Sequence, residues 1–252
     1  MFIMTKTAFI TGASSGIGRA TAVALSQSGF RLILAGRRRE RLEELAQELG
    51  QVETHLLTFD VRDRQAVEAA VRSLPTEFQD IDVLINNAGN AHGLAPIQEG
   101  DPQDWDYMLD GNVKGLLYVS KAVLPSMTKR NVGHIINIGS IAGHETYANG
   151  NVYCASKAAV AALTKGMRLD LLPHNIRVAE VNPGAVETEF SQVRFKGDTA
   201  RAASVYQGFE PLKAEDVADV IQFMLTRPAH VNIAEVLILP AAQAAATVIK
   251  KN

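Results

Sequence analysis

Thr7-Ala8-Phe9-Ile10-Thr11-Gly12-Ala13-Ser14-Ser15-Gly16-Ile17-Gly18-Arg19 is the stretch on which the fold turns. A short apolar run is followed at once by a glycine-rich turn. From Ile17 the apolar spacing becomes helical until about Ser28, where Gly29 supplies a stop signal. Strand, turn and helix in that order aim unpaired N–H groups and the positive end of a helix dipole at one spot, where a pyrophosphate can sit. Gly12, Gly16 and Gly18 permit a tight turn, close backbone approach and close helix–strand contact. A purely structural turn could need the same glycines. The spacing Gly12-x3-Gly16-x-Gly18 is rarer than G-x-G-x-x-G, and its context favours dinucleotide binding. Ser14, Ser15 and Ile17 lie inside the turn and join the glycines as candidate cofactor residues.

Downstream the pattern repeats. Arg31–Ala35 reads as a second strand ending in Gly36-Arg37-Arg38-Arg39-Glu40-Arg41. A fold that uses NAD places an acid about 20 residues past the glycines, on the ribose 2′-hydroxyl. Here Arg37 and Arg38 occupy that region, and a guanidinium can bind a 2′-phosphate through two hydrogen bonds. The expected cofactor is NADP(H). Arg39 and Arg41 continue into a charged helix and read as solvated; the acids at 40, 43 and 44 argue against a nucleic-acid patch. Further strands are expected at 55–59, 81–85, 133–138, 176–181 and 234–239, separated by helices that Asp63 and Asp101-Pro102 are suited to cap. Alternating strands and helices of these lengths mean an α/β, doubly wound (Rossmann-type) seven-stranded parallel sheet. No linker or repeat divides residues 1–252, so one domain is expected. In such sheets ligands sit at the carboxyl ends of the strands. That edge collects the glycine turn, Arg37, Asp60, Asn86-Asn87-Ala88-Gly89, Ser140 and Pro183-Gly184.

Composition narrows the function. Apolar residues make up 47% and charged residues 21% of the 252, with a formal charge of -2, which gives nucleic acid and anionic membranes no electrostatic foothold. A lone cysteine, Cys154, allows no intrachain disulfide and fits a cytoplasmic protein. Six scattered histidines lack ligand-like spacing, so no protein metal site is expected. No run approaches a membrane span, and no signal peptide is expected.

Chemistry converges on Tyr153 and Lys157, one helical turn apart on the same face. Such pairs decorate many helices without consequence. A nearby ammonium can nevertheless lower a phenol's pKa, provided it outweighs desolvation. Ser140 ends the strand that leads into this helix, and thirteen residues suffice to return its hydroxyl to the phenol. Together they can hydrogen-bond one carbonyl oxygen, with Tyr153 giving the proton and Lys157 keeping the phenol acidic.

Thr11-Gly12-x3-Gly16-x-Gly18, Asn86-Asn87-Ala88-Gly89, Asn112, Ser140 and Tyr153-x3-Lys157, in this order, resemble the short-chain dehydrogenase/reductase family. The resemblance implies that Lys157 also holds the nicotinamide ribose and that Asn112 positions a water in a proton relay. It implies that Asp60 and Val61 meet the adenine, that Asn87, Ala88 and Gly89 line the cofactor, and that Pro183, Gly184, Val186 and Thr188 cover the nicotinamide. Residues 133–140, 150–153, 189–198 and 228–233 further resemble the NADP-dependent serine and 3-hydroxy acid dehydrogenases, typically homotetramers. That branch implies a hydride transfer between nicotinamide and a small 3-hydroxy acid or its semialdehyde. The Ala-rich tail after Pro240 is less typical of it.

Substrate recognition is expected from a lid at about 184–211, long for a connection. Its cations Arg194 and Lys196 could meet a carboxylate, serve the cofactor phosphates, or stand in solvent; Arg194 has the better geometry for an acid. Tyr147 and His144 are placed either to line the pocket or to pack. A broader carbonyl reductase, a non-catalytic NADP-binding module and a redox-neutral epimerase or lyase are the rival readings. The complete Asn112, Ser140, Tyr153 and Lys157 set disfavours the binder, and the absence of an added substrate domain disfavours the last.

Overall fold

A computed structural model describes residues 5–252. Seven strands form one parallel sheet in the order β3-β2-β1-β4-β5-β6-β7. They are β1 (Thr7–Thr11), β2 (Arg31–Gly36), β3 (Thr54–Thr58), β4 (Ile81–Asn86), β5 (Gly133–Ile138), β6 (Ile176–Pro183) and β7 (Glu235–Ile238). β1 and β5 are buried from end to end, as a sheet covered on both faces requires. β2 shows how its apolar run is used: Leu32 and Leu34 point into one core, Ile33 and Ala35 into the other.

One face is covered by α1 (Gly16–Gln27), α2 (Arg39–Leu49) and α9 (Ala214–Leu225), which contribute Leu25, Leu42, Leu45, Val217 and Ile221. The other is covered by α3 (Arg64–Arg72), α5 (Gly115–Arg130) and α6 (Asn151–Leu171), through Val67, Val119, Val123, Met127 and Leu171. The caps fall where the sequence places them. Asp63 accepts from the N–H groups of Gln65 and Ala66, and Asp101 from that of Gln103, opening α4 (Pro102–Leu109) with proline at its start. α4 runs into α5 through a π-helical turn, Asp110–Lys114, that carries Asn112.

The lid contains two short helices, α7 (Phe190–Arg194) and α8 (Thr199–Ser204). The tail after Pro240 folds into a hairpin of β8 (Gln243–Ala245) and β9 (Val248–Ile249), which the sequence pattern does not announce. It returns to the sheet edge, where the Gln243 side chain accepts from the Ala185 N–H at 2.9 Å. Strand order reverses between β1 and β4, and the crevice opens beyond their carboxyl ends.

Candidate active site

That crevice is a cleft of about 600 Å³. Every candidate cofactor, catalytic and substrate residue lines it except Gly18 and Asn112, which support it from behind, and His144 and Lys196, which lie outside it. Gly12 and Gly16 take the left-handed backbone, with φ of 66° and 52°. A Cβ on Gly12 would lie 2.8 Å from the Asn87 amide nitrogen, and one on Gly18 would strike the Gly12 carbonyl. Asn87 fastens the turn to β4: its amide donates to the Thr11 and Gly12 carbonyls at 2.9 and 3.3 Å. No side chain caps α1, so its first N–H groups stay free for an anion.

At the β2 end, Arg38 donates through Nη1 to Glu189 at 2.9 Å and through Nη2 to the hydroxyls of Ser15 and Ser14 at 2.8 and 3.2 Å. Arg41 is exposed, as expected of a helix charge, and also pairs with the other oxygen of the Glu189 carboxylate. Arg37 is mostly exposed and lies 3.9 Å from Asp60. Burial raises the Asp60 carboxyl, but hydrogen bonds from Arg62 outweigh that and hold it below its ordinary value. A phosphate-sized anion and a dinucleotide fit this cradle of glycines, free N–H groups and guanidinium donors.

At the β5 end the groups are buried. The Ser140 N–H donates to the Asn182 side chain at 2.9 Å, and its hydroxyl accepts from the Ala142 N–H at 3.1 Å. Tyr153 packs against Phe190 of the lid at 5.6 Å between ring centroids. Lys157 donates from Nζ to the Ile138 carbonyl at 2.8 Å, and burial lowers its pKa to about 8 against an opposing pull from Glu180. The expectation that Lys157 keeps the phenol acidic is corrected here. Burial pushes the Tyr153 pKa up, Tyr147 adds to it, and the relief comes from the Ser140 hydrogen bond and the charge of Arg194. The Asn112 amide is fully engaged: Oδ1 accepts from the Asn90 N–H at 2.7 Å, while Nδ2 donates to the Asn90 carbonyl and the Ser156 hydroxyl at 2.8 and 2.9 Å. It clamps the loop after β4 to α6 and has no amide hydrogen left for a water.

Matches to known proteins agree with this geometry. Residues 6–199 match the family model described as short chain dehydrogenase. The chain belongs to the short-chain dehydrogenase family. It is 46% identical over 235 residues, 93% of this chain and 94% of the relative, to the NADP-dependent 3-hydroxy acid dehydrogenase of Escherichia coli (strain K12). It is also 46% identical over 243 residues, 96% of each chain, to sulfoacetaldehyde reductase 2 of Chromohalobacter salexigens. A solved closed form of serine dehydrogenase complexed with NADP+ superimposes with a TM-score of 0.93 at 44% identity, covering 98% of this chain and 99% of that one. This short-chain dehydrogenase is thus an NADP-dependent oxidoreductase acting on CH–OH groups.

Other side chains of the dehydrogenase fall differently from expectation. His144 does not reach the cleft; it pairs with Glu235 at 3.1 Å. Lys196 is bound to Asp104 at 2.9 Å and lies 3.7 Å from Asp101, which clips the lid to α4. Arg194 stands beside both tyrosines, its guanidinium carbon 5.7 Å from the Tyr147 ring centroid and 5.6 Å from that of Tyr153. Its Nη2 is buried without a partner. Glu189, Phe190 and Asn182 belong to the site, although no sequence pattern singles them out. The first two sit in a lid without periodicity, and Asn182 was visible only as the residue before Pro183-Gly184.

Proposed function

We propose that this dehydrogenase interconverts a small 3-hydroxy acid, serine-like or 3-hydroxypropionate-like, with its semialdehyde. The observation that carries this reading is the buried, unpartnered Nη2 of Arg194, beside the Tyr153 ring. A buried cationic donor without a partner is costly, and a substrate carboxylate is the natural acceptor for it. With Lys196 held by two aspartates and Arg201 stacked on Phe195 away from the cleft lining, Arg194 is the lid cation that faces the substrate space.

Bound NADP supplies the hydride chemistry. Gly12 to Gly18 and the first turn of α1 would hold its pyrophosphate, Arg38 with Ser14, Ser15 and Arg37 its 2′-phosphate, and Asp60 with Val61 its adenine. Asn87, Ala88 and Gly89, with Pro183, Gly184, Val186 and Thr188, would line the rest. Ser140 and Tyr153 orient the substrate oxygen, and Tyr153 donates or accepts the proton there. Lys157 would supply a donor for the ribose. Asn112 acts as the clamp that fixes both loops, so a water relay would have to run past its main chain.

A guanidinium accepts a sulfonate as well as a carboxylate, and the relative named for sulfoacetaldehyde supports that second reading. A panel of short 3-hydroxy acids, sulfonated and neutral aldehydes and neutral alcohols, each with NADP(H) and NAD(H), tests both. Oxidation of 3-hydroxy acids well above neutral alcohols is expected. Equal rates on neutral alcohols of the same length would overturn the acid assignment.

A further inference from the structure

Glu189 already pairs with Arg38, the guanidinium read above as a 2′-phosphate ligand. Its carboxylate bridges two guanidinium groups, Arg38 at 2.9 Å on one oxygen and Arg41 on the other, and this two-cation grip is the kind that phosphates take. The hydrogen bond from Arg41 and those from Arg38 hold the carboxyl below its ordinary pKa, so it is anionic at neutral pH. Glu189 belongs to the lid. It follows Thr188 on the cleft wall and directly precedes α7, which carries Phe190 against Tyr153 and Arg194 beside it. The Nη2 of Arg38 is already engaged with Ser14 and Ser15. A phosphate carrying about two negative charges and the Glu189 carboxylate cannot share the Arg38 guanidinium without like-charge repulsion.

We propose that Glu189 is the lid's own occupant of the 2′-phosphate seat, which NADP must displace, so that this residue holds back the affinity for the phosphorylated cofactor and docks α7 before cofactor arrives. This rests on the reading of Arg38 as a 2′-phosphate ligand. A lid tied down at its base by Glu189 is released at that end when the phosphate takes Arg38. Cofactor identity at one end of the cleft is thereby communicated to the lid over the other, about one turn of helix away from Arg194.

Calorimetric titration of Glu189→Gln and Glu189→Ala with NADP+ and with NAD+, without substrate, tests this. NADP+ should bind roughly 5-fold tighter than to the parent protein, while NAD+ stays within about twofold. Limited trypsinolysis of the cofactor-free proteins gives a second readout, since cleavage after Lys196 or Arg201 should be at least about 3-fold faster in the variants. Weaker NADP+ binding, or an equal gain for both cofactors, overturns the displacement; unchanged cleavage overturns the tie to the lid. Arg38→Ala tests the premise separately. If it keeps the preference for NADP+, the phosphate seat lies elsewhere, whatever the Glu189 variants do.

Discussion

At the β2 end of the cleft the charges stand in water: the side chains of Arg37, Arg38 and Glu189 are 69%, 41% and 37% exposed. At the β5 end Tyr153 and Lys157 keep only 8% and 7% of their surface. Exposed ion pairs are individually weak, are screened by salt and exchange readily with a ligand's charges. Buried groups are held by packing and hydrogen bonds, and their protonation follows burial first and neighbours second. One end is thus suited to choosing a cofactor, where partners must come and go. The other is suited to holding a proton at a fixed place. Substitutions at the first end should change affinity in a salt-dependent way, and substitutions at the second should change turnover or pH dependence.

The largest test of this division is Tyr153→Phe. The phenol oxygen is the only atom removed, and the ring keeps its place against Phe190. A positioned general acid contributes typically 10²–10⁴-fold, so kcat should fall by about 10³-fold. NADPH affinity, followed by its fluorescence in a titration, should stay within about twofold. Parallel loss of both would mean that the two ends are not separable, and full activity would remove Tyr153 from the chemistry.

Arg194→Gln probes the lid, which joins the two ends. Charge-assisted hydrogen bonds are worth about 1.5–3 kcal/mol, so kcat/KM for a 3-hydroxy acid should fall by roughly 10- to 100-fold. A neutral aldehyde of the same length should lose no more than about threefold, because it makes no demand on the guanidinium. A loss shared equally by both substrates would turn Arg194 into a packing residue for Tyr147 and Tyr153.

The sheet was legible because its signals are local. An apolar run between turn residues identifies each buried strand, and Gly12, Gly16 and Gly18 need no partner to be read as a tight turn. Tyr153, Lys157, Ser140 and Asn112 could be named from spacing and order, yet what they do to one another could not. Whether Lys157 acidifies the phenol depends on where Nζ points, and it points at the Ile138 carbonyl. Glu189 illustrates the limit more sharply. Its partner Arg38 is 151 positions away, and no periodicity marks a lid that is shaped by contacts with its two shores. Lys196 and Arg194 look alike in sequence, and only the nearby aspartates separate them.

Glu180 supports the buried end from behind and offers the mildest test of the comparison. It is 1% exposed, its Oε1 has no partner, and burial followed by the charge of Glu235 raises its pKa to about 7. Lys157, Lys165 and Arg168 pull the other way, and His144 faces the same cluster through Glu235. Between the ordinary 4.5 and about 7, the folded protein binds more protons here than the unfolded chain. Stability from this group is therefore complete at low pH and is lost as pH rises through about 7. The cofactor-free protein should melt a few degrees lower at about pH 7.5 than at about pH 5.5, and Glu180→Gln should remove most of that drop, gaining roughly 2–6 °C at the higher pH. Lys157 works in a different window: with its pKa lowered to about 8 from 10.5, the folded protein binds fewer protons between those values, so its contribution recovers as pH climbs through them. Removing the Glu180 charge takes away the pull that raises Lys157, so this alkaline recovery should begin at lower pH in the variant. A melting profile in Glu180→Gln that tracks the parent from pH 5.5 to 7.5 would mean that Glu180 does not exchange its proton in that window. In that case the contrast with the exposed charges at β2 is one of accessibility alone.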